Sequence, residues 1–313
     1  MHDDPRIHVS LAHLRSLEGA AKGLSFLPRQ PSASNLNGRH ASRLRGRGLN
    51  FEELRDYLPG DDIRSIDWKA SARTGVPHVR VFTEERDRPA LLVVDQRMSM
   101  YFGSVLNLKS VTAAEAAAVA AFRILAAGDR VGGIVFDDER QREFVPNRSR
   151  RTVFAFLKEI AEFNAGLDAD RPSLASPGSL NQVLDATARL AHHDHLIMIL
   201  SDFDGIDDDT HRWLTSIAAH NDLILGLVYD PLARDVDQER PVIVGDGRRQ
   251  AEIDFSKASV VDAVGRAAAD RLDRILEWQT EINLSVLPLS AGEETLPQIR
   301  RLLAADAPRR RVR

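Results

Sequence analysis

From Pro89 onward, short continuous apolar runs alternate with longer stretches that carry an apolar residue every three or four positions. The runs are Ala90 to Asp95 (ALLVVD), Arg130 to Phe136 (RVGGIVF), Leu196 to Ser201 (LIMILS), Leu223 to Tyr229 (LILGLVY) and Leu284 to Leu287 (LSVL). Runs that stay apolar at successive positions fit strands buried on both faces, whereas a strand with one face in water would alternate. A further short segment, Arg142 to Val145, suits an edge strand.

The intervening stretches predict helices over Lys109 to Ala127, Arg151 to Phe163, Leu180 to His192, Asp208 to His220, Val260 to Thr280 and Leu296 to Ala304. Thr112 with Glu115 reads as a capping box, and Gly128 suits a left-handed helix stop. Strands alternating with helices specify an α/β fold: a mostly parallel sheet with helices on both faces. Residues 1–88 lack this rhythm. They hold a Pro/Ser/Asn-rich stretch, Pro28 to Asn37, and then a dense polar and aromatic segment. The expected organisation is an N-terminal extension over 1–88, an α/β domain over 89–305 and a basic tail over 306–313.

Composition narrows the functional classes. The chain has no cysteine, which excludes thiolate nucleophiles and cysteine-held metals. The N-terminus does not read as a secretion signal, and the longest apolar run, Ala113 to Ala127, is too short to span a bilayer. A cytoplasmic protein without a membrane contact is expected. The net charge of -4 argues against general nucleic-acid binding, although Arg39, Arg43, Arg45 and Arg47 cluster, as do Arg309, Arg310, Arg311 and Arg313. There is no phosphate loop of the G-x-x-x-x-G-K-[ST] type and no Gly-x-Ser-x-Gly elbow. His192, His193, Asp194 and His195 precede a strand, at the edge away from the usual ligand side, and read as a solvated turn. The acidic Asp204, Asp207, Asp208 and Asp209 suit the positive end of the next helix.

Candidate chemistry gathers where strands end. Asp95 and Asp202 each follow an apolar run, so both carboxylates should project from the carboxyl edge of the sheet, where open parallel sheets collect ligands. Two carboxylates with nearby hydroxyls offer hard oxygen ligands to Mg2+ or Mn2+; alternatively, each aspartate caps the loop that follows it.

DQRMSM at Asp95 to Met100 resembles the metal-ion-dependent adhesion site of von Willebrand factor type A domains, which opens with D-x-S-x-S. The resemblance implies that Asp95, Ser99, Ser179 and Asp202 surround the metal position. Arg97 departs from it, standing where that motif has its first serine. A guanidinium cannot ligate a cation and is always charged. The expectation is that Arg97 takes the cation's electrostatic place on Asp95 or Asp202 and that no cofactor is needed. Mg2+ or Mn2+ would bind only if Arg97 pointed away.

Upstream, GRGLNFEELRDYLPGDDIRSIDWKASARTGVPHVRVFTEERDRPALLVVD closely resembles a bacterial family, domain of unknown function 58. The shared pattern is G-x-G, F, R-x-Y, P-G-D-D, R-x-I-D-W, A-R and F-x-x-E-R, here running from Gly46 to Arg86 before the first strand. The resemblance implies an A-type fold behind this signature and association with a MoxR-type AAA+ ATPase. Read physically, interleaved acids and bases favour a salt-bridged surface, while Tyr57 and Trp68 add apolar area with polar tips. Arg55, Tyr57, Asp61, Asp62, Arg64, Asp67, Trp68 and Arg97 are therefore the candidate partner-binding residues of a noncatalytic interaction module. The competing class is a metal-dependent hydrolase using the upstream aspartates or the strand-end carboxylates. A third use of the signature is to brace the extension.

Overall fold

The computed structural model describes residues 4–21, 49–58, 61–84, 89–169, 179–231, 242–245, 250–253, 258–282 and 284–305. The Pro28 to Asn37 stretch, both arginine clusters, Gly46 to Gly48 and Glu85 to Arg88 lie outside the described residues. The chain divides into two compact units: Met1–Pro28 with Arg88–Arg313, and Arg29–Asp87.

The larger unit is a Rossmann-like α/β layer structure. Its sheet strands are β3 (Ala90–Asp95), β4 (Val131–Phe136), β5 (Gln141–Asn147), β6 (Leu196–Ser201), β7 (Asp222–Tyr229) and β10 (Leu284–Ser290), in the order β10-β7-β6-β3-β4-β5. All neighbours are parallel except β5, which closes the edge antiparallel to β4. From β3 the chain moves outward to β4 and β5, then returns to the other side of β3 for β6. The switch point therefore lies between β3 and β6.

The apolar runs are buried on both sides because each faces two cores. Leu92 and Val94 join the layer of α4 (Lys109–Ala126), α5 (Arg150–Ala165) and α9 (Thr295–Ala305). Leu91 and Val93 join the layer of α6 (Ser179–Leu190), α7 (Asp208–Ala218) and α8 (Ala258–Glu281). Alternate side chains of a strand point to opposite faces, so a central strand sandwiched in this way has no polar face to show. Tight layering appears at Gly133, where an added Cβ would meet the Phe156 ring and lie 2.6 Å from the Leu92 carbonyl oxygen. Gly133→Ala should therefore cost about 1–3 kcal/mol through overpacking, read from urea denaturation midpoints.

Two local expectations change. Thr112 does not cap α4: the helix begins at Lys109 after Leu108, and Thr112 is buried within it. The capping box lies instead at α7, where Asp207 accepts from the Thr210 backbone N–H and the Thr210 hydroxyl accepts from the Asp207 N–H. This agrees with reading the acidic run as a helix start. Gly128 takes the left-handed conformation, with φ of 89°.

The expected single extension over 1–88 is also corrected. α1 (Leu11–Ser16) and α2 (Glu18–Ala21) belong to the α/β unit, where Val9, Leu14 and Ala21 are buried against the α4 and α5 layer. Polar contacts pin the strap: the Val9 N–H donates to Asn164 Oδ1 at 2.8 Å, and His13 Nε2 lies 2.6 Å from Glu115 Oε1. The Glu115 hydrogen bond raises the His13 pKa, with burial opposing it. A raised folded-state value means the pair stabilises fully below the ordinary histidine range and fades as pH rises through the folded value. The melting temperature should fall as pH is raised above about 6.5 and flatten in His13→Ala; an unchanged slope would contradict this.

The smaller unit contains β1 (Leu49–Asp56) paired antiparallel with β2 (His78–Glu84), and between them α3 (Trp68–Thr74). A second two-stranded pair, β8 (Val242–Gly245) with β9 (Gln250–Ile253), completes the described strands.

Candidate functional site at the carboxyl edge of the sheet

The switch point brings Asp95, at the end of β3, beside Ser201 and Asp202, at the end of β6. Asp95 is fully buried. Its Oδ1 accepts from the Arg97 backbone N–H at 2.9 Å and from Arg97 Nε at 3.1 Å. Its Oδ2 accepts from Arg97 Nη2 at 2.7 Å and from the Ser201 hydroxyl at 2.6 Å. This is a forked guanidinium–carboxylate pair, the strongest arrangement two such groups make. Arg97 is the residue that precedes the 310 turn Met98–Met100, and its guanidinium folds back onto Asp95. Its Nη1 also donates to the Asp204 carbonyl at 3.1 Å, and its Cζ lies 5.7 Å from the centre of the Phe136 ring.

Asp202 is satisfied by a different cation. Lys109 Nζ donates to its Oδ2 at 2.6 Å, while Oδ1 accepts from the Asp204 N–H at 3.0 Å and the Ser99 hydroxyl at 3.3 Å. Arg97 Nη2 stands 3.8 Å from the same Oδ1. Arg271 of α8 donates to the Asp202 carbonyl at 3.2 Å and pairs with Asp204. Burial alone would push the Asp202 carboxyl up, but the charges of Lys109, Arg97 and Arg271 override it and hold the group well below the usual carboxylate range. Burial pulls on the Arg97 guanidinium too, yet Asp95 and Asp202 together raise its pKa and keep it protonated. Asp95 is thus paired with Arg97 and Asp202 with Lys109.

A third carboxylate, Asp138, accepts from the Met98 N–H at 2.7 Å, and burial raises its pKa against the pull of that bond and of Arg97. Behind the pair, Gln96 donates to the Asp95 and Ser110 carbonyls and accepts from Asn164, tying the site to α4 and α5. Phe203, with φ of 53°, sits in the left-handed region rarely taken by non-glycine residues; its N–H donates to the Ser201 hydroxyl at 2.9 Å and its ring is buried.

The structure thus brings Asp95, Arg97, Ser99 and Asp202 together. Ser179 opens α6, and its side chain lies outside the described residues. A divalent ion at this place needs open carboxylate oxygens, and these residues do not fit one: the oxygens of Asp95 and Asp202 already face Arg97, Lys109 and serine hydroxyls. Among the described residues, no group of three or more His, Asp or Glu side chains is placed to hold a metal ion. The expectation that Arg97 forms part of a contact surface is corrected as well, because the residue is only 5% exposed. Sequence reading missed Ser201, Lys109 and Arg271. Lys109 carried one signal, a cation in the first turn of a helix, where the helix dipole disfavours it.

In the upstream unit, each signature aspartate has a local structural role. Asp61 receives a two-pronged bond from Arg55 at 2.7 and 2.8 Å and accepts from the Leu58 N–H. Its carboxyl is held below the usual range chiefly by the Arg55 hydrogen bond. Asp62 accepts from the Arg64 N–H, and Asp67 caps α3 by accepting from the Lys69 and Ala70 N–H groups. Tyr57 donates its N–H to the Pro77 carbonyl. Arg64 and Trp68 are exposed.

The chain is similar to an uncharacterized protein of Mycobacterium bovis and to uncharacterized proteins of two Mycobacterium tuberculosis strains. Each is 29% identical over 304 residues, covering 97% of this chain and 90% of the relative. The family described as protein of unknown function DUF58 matches residues 53–274, well over half of the chain, which takes in the upstream signature from Glu53 onward and the strand-end site. The chain belongs to the DUF58 family.

Proposed function

We propose that this chain is a noncatalytic interaction module of the von Willebrand factor A kind, working in the cytoplasm beside a MoxR-type AAA+ ATPase. One observation carries the reading: at the switch point, where an enzyme of this architecture would hold its reacting groups, Asp95 and Asp202 are neutralised by Arg97 and Lys109. A carboxylate whose oxygens are taken up by a buried cation has its charge offset and its lone pairs engaged, which weakens it as a base and as a metal ligand. The degenerate adhesion motif then acts as an internal brace between β3, β6 and α4. The upstream aspartates support the same view, since Asp61, Asp62 and Asp67 are committed to Arg55 and to turn and helix ends. No described helix is long and apolar enough to cross a membrane.

The test is calorimetric titration of the full chain with the MoxR-type ATPase of the same organism, alongside turnover assays on phosphoester and peptide substrates with added Mg2+ or Mn2+. Saturable binding without turnover is expected. Turnover abolished by Asp61→Ala or Asp202→Ala would replace the adaptor with a metal-dependent hydrolase.

A further inference from the structure

The unit spanning Arg29–Asp87 uses its acids and its bases differently. Asp61 is bound to Arg55, Asp62 and Asp67 accept from backbone N–H groups, and Asp56 lies 3.1 Å from His78. Three cations beside them are left over. Arg64, Lys69 and Arg73 are exposed, and among the described residues their side chains make no hydrogen bond or ion pair. The same stretch exposes large apolar groups: Trp68 is 67% exposed, Ile63 61% and Leu58 59%.

The backbone places these groups together. Lys69 and Arg73 are four apart on α3 and so share one side of the helix, with Trp68 flanking them at its first turn. Ile63 and Arg64 lie in the 310 turn Ile63–Ser65 that leads into α3. An exposed tryptophan followed on the same short helix by two exposed cations, with a third in the turn before it, has the composition of an interface centre, where aromatic side chains and arginine carry most of the binding energy.

We propose that Ile63, Arg64, Trp68, Lys69 and Arg73 dock an acidic segment of a partner protein that carries a large apolar side chain. Trp68 and Ile63 receive the apolar group, and the three cations receive the carboxylates. The capping Asp62 and Asp67 alternate along the chain with those cations, so a continuous phosphate backbone would meet acids as well as bases, whereas a peptide can set its own acids opposite the cations alone. This deepens the adaptor reading and rests on it in taking the partner to be a protein.

The experiment uses the full chain and a fluorescein-labelled peptide rich in Asp and Glu with a central Phe, followed by fluorescence anisotropy. Saturable binding is expected, weakened about tenfold or more in Trp68→Ala and in the triple variant Arg64→Glu, Lys69→Glu, Arg73→Glu. Trp68→Phe should retain most of it, a peptide without the Phe should bind less, and added salt should weaken it. These side chains are exposed, so the variants should keep the wild-type circular dichroism spectrum. Absence of peptide binding, affinity unchanged in the variants, or tighter binding of phosphatidylserine vesicles, a single-stranded oligonucleotide or a second copy of the chain would overturn the proposal. The ATPase titration separates the two readings. Full ATPase affinity in the triple variant would sink this surface and leave the adaptor standing; peptide binding without any ATPase binding would sink only the choice of partner.

Discussion

Arg97→Ala should destabilise the protein by about 3–5 kcal/mol, because it strands the Asp95 carboxylate in a fully buried position. The loss is not the net worth of the ion pair. It is mainly the cost of an uncompensated buried charge, so removing both charges together should be far milder. In a double-mutant cycle, Asp95→Asn with Arg97→Met should recover most of what either single change loses, as replacement of buried ion pairs by packed neutral groups commonly does. Urea denaturation of the four proteins measures this. A single-variant loss below about 1 kcal/mol would place Arg97 in the surface ion-pair class instead.

The second large effect concerns Lys109. Lys109→Met should cost about 3 kcal/mol at neutral pH, since among the described residues Asp202 would keep only the more distant Arg97 as a cationic side-chain neighbour within 4 Å. The pH dependence gives the sharper signature. In the wild type the folded-state pKa of Asp202 is depressed, so its contribution is fully present above the ordinary carboxylate value of about 3.9 and is lost as pH falls through the folded value. Without Lys109, burial raises that folded value, and the variant takes up its proton earlier on acidification. The deficit relative to wild type should therefore shrink between pH 7 and pH 4. A deficit constant across that range would mean that Lys109 contributes through packing of its stem rather than through charge.

What could be read from the sequence followed from burial. β3, β6 and β7 announce themselves because both faces are covered, and ALLVVD and LIMILS leave no polar position before their last residue to confuse the period. β1 does not, because LNFEELRD interleaves charges out of phase with a two-residue repeat and its partner lies beyond α3. The N-terminal strap was illegible for a related reason: α1 is 6 residues long, and its docking depends on Asn164 and Glu115, distant in sequence. At the site, Asp95, Arg97 and Asp202 were visible because strand ends and motif spacing fix their backbone positions. The direction in which Arg97 folds, and the arrival of Lys109 and Arg271 from separate helices, are tertiary facts. No spacing rule reaches Arg271, which comes to Asp202 and Asp204 from α8.

The central claim is that a built-in guanidinium occupies the electrostatic place of a divalent cation. Calorimetric titration of the wild-type chain with Mg2+ and Mn2+ tests it most directly, with Asp95→Ala beside it as the control. The account predicts no saturable binding by either protein. Tight, saturable uptake of Mg2+ or Mn2+ by the wild type that disappears in Asp95→Ala would contradict it.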